Sequence, residues 1–279
     1  MSAQERHILG ISGGRDSAAL AVYMRQASPS LAIEYFFTDT GKELPEVYDF
    51  LDRLEGFLGR AIARLNPDRD FDFWLQEYNN FLPSPRTRWC TRQLKLRPLE
   101  AWLRRDLEAG VVVHSYVAIR ADESDRDGYQ STHSNIKVHF PLKAAGIDKR
   151  GVKEILRSAG IGEPDYYAWR SRSGCTFCFF QQKIEWVRLR ERHPDAYREA
   201  MAYEKNARDH GSPFTWSFGE SLAELEKPDR VQQVKEDYGR RIARERSKRR
   251  QNPLMLDDDL ETDELYGVGV ETSCLICHK

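Results

Sequence analysis

The segment Ser12-Gly13-Gly14-Arg15-Asp16-Ser17 directly follows the apolar run Ile8-Leu9-Gly10-Ile11 and leads into Ala18-Ala19-Leu20-Ala21-Val22-Tyr23-Met24. A strand, a glycine turn and a helix start in that order restrict the folds open to the chain. The glycines allow close backbone approach to an anion, and the helix N-terminus supplies free amides and a positive dipole end. No Lys follows the glycines, so this is not the loop G-x-x-x-x-G-K-[ST] of common ATPases. A plain strand–helix turn is the alternative reading.

The pattern then repeats. Residues 7–11 read as a buried strand, 16–26 as a helix and 31–38 as a second strand. Leu44, Val47, Tyr48, Leu51 and Leu54 fall at helical spacing, and 61–65 reads as a third strand. Such β-α-β-α order predicts an α/β fold, an open, mainly parallel twisted sheet with helices on both faces. Further along, a helix is expected over about 91–106 with a bend or restart near Pro98. A strand is expected within 111–119, a polar loop over 121–135, and helices over 151–159 and about 180–207. Residues 221–250 are charged and helix-compatible, giving a helical C-terminal extension. The expected division is 1–207 for the main domain and 208–279 for the extension with its Cys-containing tail.

Ser12 to Ser17 resembles the PP-loop S-G-G-x-D-S of the N-type ATP pyrophosphatases, whose relatives include the PAPS and APS reductases. Two further segments are similar to that superfamily. Thr38-Asp39-Thr40-Gly41-Lys42-Glu43-Leu44-Pro45-Glu46 resembles its T-D-T-G-x-x-x-P-E segment. Ala118-Ile119-Arg120-Ala121-Asp122-Glu123-Ser124 resembles G-x-R-x-x-E-S, with Ala118 where Gly is usual. The resemblance spans about residues 7–205 and implies an adenine nucleotide α-hydrolase-like fold. It implies that Ser12, Gly13, Gly14, Arg15, Asp16 and Ser17 hold phosphates, and that Thr38, Asp39, Thr40 and Gly41 bind the adenosine. Asp16 or Asp39 would place Mg²⁺, Arg120 would steady developing charge, and Glu123 would bind a ribose hydroxyl or hold Arg120. ATP and Mg²⁺ are the implied ligands.

The chain has five cysteines: Cys90, Cys175, Cys178, Cys274 and Cys277. Two C-x-x-C pairs and a single Cys suggest metal or redox work rather than a disulfide framework. Cys90 with Lys95, Pro98 and Leu99 resembles the first cysteine segment of cluster-bearing APS reductases, and Gly174-Cys175-Thr176-Phe177-Cys178 resembles the second. Cys90, Cys175 and Cys178 are thereby implied ligands of a [4Fe-4S] cluster, with Trp89 where that family has another Cys. A fourth ligand from the tail or an open iron completes the picture. Zinc bound by three Cys and a His (His133, His139 or His193), or no metal, are the alternatives. Cys274 and Cys277 loosely resemble the reductases' mobile catalytic tail and could carry a persulfide or cycle through a disulfide. An incidental metal hook is the other reading.

The resemblance is strongest to the ATP pyrophosphatase of bacterial DNA phosphorothioation (defence) systems. It implies a sulfurtransferase that adenylates a nucleic-acid acceptor, DNA ahead of tRNA, with sulfur from a cysteine desulfurase. An assimilatory adenylyl-sulfate reductase, a tRNA-thiolating enzyme and a non-catalytic Fe–S scaffold are the competing expectations. Net charge is only −1, so any polyanion must meet a local patch. Arg86 to Arg105 holds seven Lys or Arg and one acid, and Arg240 to Arg250 forms a second basic block followed by acids. No run reaches the roughly 18 apolar residues of a membrane span, and Met1 to Arg6 lacks a signal pattern. The default expectation is therefore a cytoplasmic protein, compatible with a homo-oligomer.

Overall fold

The computed structural model describes residues 4–250 apart from 67, 124–125, 127–130, 132 and 213. Five parallel strands form one sheet in the order β3-β2-β1-β4-β5. They are β1 (Glu5–Gly10), β2 (Ile33–Phe37), β3 (Ile62–Arg64), β4 (Val112–Tyr116) and β5 (Ile136–His139). The chain moves outward from β1 to β3, then crosses back to β4, so the order reverses beside β1. In open α/β sheets ligands collect beyond the carboxyl ends of the strands at that reversal.

The central strand is buried on both faces, which is why Ile8 and Leu9 are both inaccessible although their side chains point in opposite directions. One face packs against α1 (Arg15–Ala27) and α2 (Pro45–Leu58) and, further along the chain, α7 (Lys149–Ser158). Ala18, Ala19 and Ala21 let α1 lie close against its neighbours, and nearly every residue from Arg15 to Met24 is buried. Among the described residues the opposite face carries little beyond α5, and its fully buried cluster there is Ile8, Phe36, Leu103 and Val113.

Between β3 and β4 lie α3 (Phe71–Glu77), α4 (Trp89–Thr91) and α5 (Arg97–Glu108). The bend expected near Pro98 takes the form of a π-helical turn over Arg92–Leu96. Pro98 has no N–H to give to Leu94, and the wider turn absorbs the missing bond. Two short helices follow β5: α6 (Pro141–Ala144) and α7 (Lys149–Ser158). The helix expected over 180–207 is instead two, α8 (Lys183–Arg192) and α9 (Pro194–Asp209), broken where Pro194 follows His193, whose backbone is non-helical (φ −130°, ψ 66°). The strand expected to reach 119 ends at Tyr116, and Val117 to Arg120 form the rim beyond it. The sequence pattern does not mark β5.

The C-terminal elements are α10 (Leu222–Leu225) and α11 (Pro228–Arg250). Buried Glu204 of α9 accepts the backbone N–H groups of Trp216 (2.9 Å) and Leu222 (2.6 Å), fastening both residues onto α9. No described helix is long and apolar enough to cross a membrane.

Candidate active site

Three of the sequence-derived segments reach the same rim because each follows a neighbouring strand: Ser12–Ser17 after β1, Thr38–Gly41 after β2, and Ala118–Glu123 after β4. In the first, Gly13 sits at φ +73°, and a Cβ there would lie 2.6 Å from Val47 Cγ1. Gly14 caps α1 without a side-chain cap, and a Cβ on it would crowd Ser173 Oγ at 3.1 Å. Gly13 therefore excludes a side chain by backbone shape and close approach, whereas Gly14 has an ordinary extended backbone and a Cβ there would only need Ser173 Oγ to give way slightly. Ser12 and Ser17 brace the turn: Ser12 N donates to Ser17 Oγ at 3.0 Å, the two hydroxyls lie 3.0 Å apart, and Ser17 Oγ donates to Gly14 O at 3.2 Å. The uncapped start of a 13-residue helix faces the rim, an anion-binding geometry.

A segment that sequence reasoning missed closes over this loop. Tyr166 OH donates to Gly13 O at 2.8 Å, and Tyr167 OH accepts from Arg15 N at 3.5 Å. The Arg15 guanidinium is buried, stacks on Tyr167 at 4.6 Å and pairs with Glu163 at 3.0 Å. The signal available was the aromatic and basic run Tyr166-Tyr167-Ala168-Trp169-Arg170 just before the cysteine pair.

Arg120 is buried and pairs with Asp16 at 3.0 Å, while its Nε and Nη2 meet both oxygens of Asp122 at 2.9 and 3.1 Å. Its backbone N–H donates to Glu123 Oε2 at 3.1 Å, which fixes the turn. Burial works against the Arg120 charge, but Asp16, Asp122 and Glu123 outweigh it and raise its pKa. Asp39 is held by Tyr48 OH and Gly41 N, both 2.8 Å from Oδ1, and burial together with this bond raises the Tyr48 pKa.

The cysteine pair is attached directly to the second rim segment. Cys175 Sγ lies 3.2 Å from Thr40 Oγ1 and 3.7 Å from Glu43 Oε1, and Thr176 N donates to Lys42 O at 2.7 Å. Burial raises the pKa of both thiols. Glu43 pushes Cys175 further up, while Arg170, Arg172 and Lys95 pull Cys178 back. Lys95 is delivered by the π turn and lies buried. Arg170 Nε and Nη1 and Arg172 Nη1 are buried with no hydrogen-bond partner. Buried donors without partners are costly, and an anion beside the thiols would satisfy them. As they stand the raised pKa values favour the neutral thiols, and thiolate ligation would need the positive charge of a bound metal centre.

Cys90 lies on α4 against the main core. Trp89, at the position of a family cysteine, is packed between Tyr78 (5.2 Å) and Phe71 (5.1 Å), so it serves the core. Among the described residues, no group of three or more His, Cys, Asp or Glu is arranged to hold a metal ion. The expected tail residues Cys274 and Cys277 lie outside the described residues.

Residues 6–137 match the phosphoadenosine phosphosulfate reductase domain. An uncharacterized protein of Methanocaldococcus jannaschii is 26% identical over 197 residues, covering 69% of this chain. The match covers 40% of that relative's own length. The phosphoadenylyl-sulfate reductase of Candida auris, solved with phosphate, is similar with a TM-score of 0.49 at 14% identity, over 61% of this chain and 81% of that one.

Proposed function

We propose that this protein is an ATP pyrophosphatase that adenylates a nucleic-acid acceptor, a DNA backbone phosphate ahead of a tRNA, for sulfur insertion. The observation that carries the reading is the 3.2 Å contact between Cys175 Sγ and Thr40 Oγ1, which joins thiol chemistry to the nucleotide rim. In this reading the amides around Gly13 and Gly14 hold the ATP phosphates. Asp39, its Oδ1 anchored by Tyr48 and Gly41, turns its other oxygen to the Mg²⁺ that arrives with ATP. Arg120 faces the phosphoryl group by exchanging Asp122, the more exposed of its carboxylates. An acceptor oxygen attacks the α phosphorus and pyrophosphate leaves; the terminal sulfur of a persulfide, passed from a partner cysteine desulfurase, then attacks the activated phosphorus as AMP leaves, and a second thiol cleaves the resulting S–S bond, leaving the phosphorothioate and a protein disulfide that an external thiol reopens.

Cys90, Cys175 and Cys178 are the residues that would hold a [4Fe-4S] cluster, which would have to draw them together, since as they stand they do not form a metal-holding group. When bound, such a cluster supplies a centre for sulfur binding or electron transfer. Arg170, Arg172 and Lys95 compensate the negative charge there. The domain match favours one competing reading, reduction of an adenylyl-sulfate.

The deciding experiment is anaerobic. Purified full-length protein is assayed for ATP–pyrophosphate exchange with and without DNA or tRNA, and for iron and labile sulfide. Exchange dependent on nucleic acid is expected, and Cys175→Ser should remove most of the iron. Sulfite release from adenylyl-sulfate, with no exchange from ATP, overturns the proposal in favour of the reductase.

A further inference from the structure

The thinly covered face of the sheet contains a cavity of about 380 Å³ between α5 and strands β1, β2, β4 and β5. Ile8, Phe36, Leu99 and Leu103 give it apolar walls, while Ser115 and His133 add polar atoms. A second hollow of about 480 Å³ adjoins it, sharing Leu96 and Glu100, and is edged by Arg88, Arg92 and Arg97. The cavity is at the lower end of the roughly 300–1,000 Å³ of small-ligand sites. It is too small for a helix about 10–12 Å across.

Two of these arginines carry no carboxylate partner among the described residues, although Glu100 lines both hollows. Among the described residues the exposed Arg92 side chain has no hydrogen-bond or ion-pair partner, and Arg97 lies over the Trp74 ring at 5.3 Å with no carboxylate. The other basic block differs: on α11, Arg240 pairs with Asp237 and Glu236, and Lys248 with Glu245. Guanidinium forks suit phosphate oxygens, and an apolar cavity of this size can take a ring. Arg88 also stacks on Phe180 at 5.2 Å, and Arg172 reaches the same ring at 5.4 Å. The arginine edge therefore runs towards the thiol loop.

We propose that the two hollows together hold one unstacked nucleotide of a single-stranded nucleic acid, its base in the apolar cavity and its flanking phosphates on Arg88, Arg92 and Arg97. A base paired within a duplex cannot enter such a slot without leaving the stack. The inference rests on the nucleic-acid reading of the acceptor and adds where and in what form the strand is gripped.

The test uses the full-length protein without ATP and a fluorescein-labelled oligothymidylate of about 12 nucleotides, within the roughly 4–16 that single-strand sites span. A second probe has the same sugar–phosphate backbone with no bases. The base-bearing strand should bind about tenfold more tightly, since each stacked base contributes on that scale. Arg92→Ala with Arg97→Ala should weaken both probes and reduce the salt slope by roughly 1.4, about 0.7 per lost phosphate contact. Ser115→Phe, which fills the cavity, should remove the preference for bases and leave the baseless probe unaffected. Leu99→Trp fills it from the helix side should Ser115→Phe fail to fold, as judged by thermal melting.

Equal binding of the two probes by the unaltered protein overturns the inference. So does an unchanged salt slope in the arginine variant, tight binding of blunt duplex alone, or displacement of the strand by AMP, which assigns the cavity to a free nucleotide. ATP–pyrophosphate exchange is run on the same preparations. Exchange without these strand signatures overturns the inference and leaves the proposed function standing. The signatures without any exchange support the inference and overturn the ATP pyrophosphatase reading.

Discussion

The two faces of the sheet are built to different standards. On one, α1, α2 and α7 bury a continuous core from Leu9 and Leu20 to Val152 and Leu156. On the other, α5 covers four fully buried residues and leaves a cavity of about 380 Å³. The packed face positions the rim, since Val47 of α2 sits against Gly13 and Tyr166 bonds the same residue. The sparse face has no loop to position. Rigidity is concentrated where the phosphate loop needs it, and space is left where nothing in the fold requires it.

Truncating one leucine on each face gives the largest expected difference. Leu20→Ala on α1 should cost towards the upper end of about 2–5 kcal/mol, because its surroundings are packed on all sides. Leu103→Ala should cost nearer about 2 kcal/mol, since it enlarges a space that already exists. Denaturant midpoints measure both, and equal losses would break the distinction between the faces.

The next arm tests whether the packed face sets the loop. Gly13→Ala forces a side chain into a left-handed backbone, which costs about 1–2 kcal/mol, and drives its Cβ to 2.6 Å from Val47 Cγ1. Adding Val47→Ala should recover about 1 kcal/mol relative to the sum of the single changes, the coupling expected of touching groups. Tyr166→Phe removes the buried bond to Gly13 O at a cost of about 1 kcal/mol. On the sparse face, Ser115→Ala should stay within about 0.5 kcal/mol. A Gly13→Ala variant with unaltered stability would show that the loop does not depend on α2.

The rim was legible in the sequence because its chemistry is local: glycines, serines and an aspartate within a few residues of a strand end. What stayed hidden depends on distance along the chain. Tyr166 and Gly13 are separated by 153 positions, so nothing near either announces their bond. Strand β5 was missed because it has four residues, includes the charged Lys137 and pairs on one side only. The sparse face was hidden for a different reason. Leu99, Leu103 and Leu107 mark α5 as amphipathic whether or not its partner surface is filled, and packing density leaves no trace in the order of residues. The break at Pro194 was legible and overlooked.

The smallest expected effect is the dependence of the packed face on pH. His7, His114 and His139 stack across β1, β4 and β5 with ring centroids 4.7 and 5.1 Å apart, on the side that carries Leu9 and Tyr116. Burial, then repulsion from His114, lowers the pKa of His7, and His139 is lowered by burial, by His114 and His7, and by Lys137. A histidine in an unfolded chain titrates near about 6.5. As pH falls through that value the unfolded chain takes up these protons before the folded one does, so stability declines towards acid. The rings are partly exposed and Glu5 lies 3.7 Å from His114, which keeps the decline modest. Thermal melting between about pH 7.5 and pH 5.5 should show it, and His7→Gln with His139→Gln should flatten the curve. Leu103→Ala should instead lower the midpoint by the same amount at both ends. If the histidine variant kept the full slope, the acid sensitivity would lie elsewhere, and the two faces would differ in packing alone.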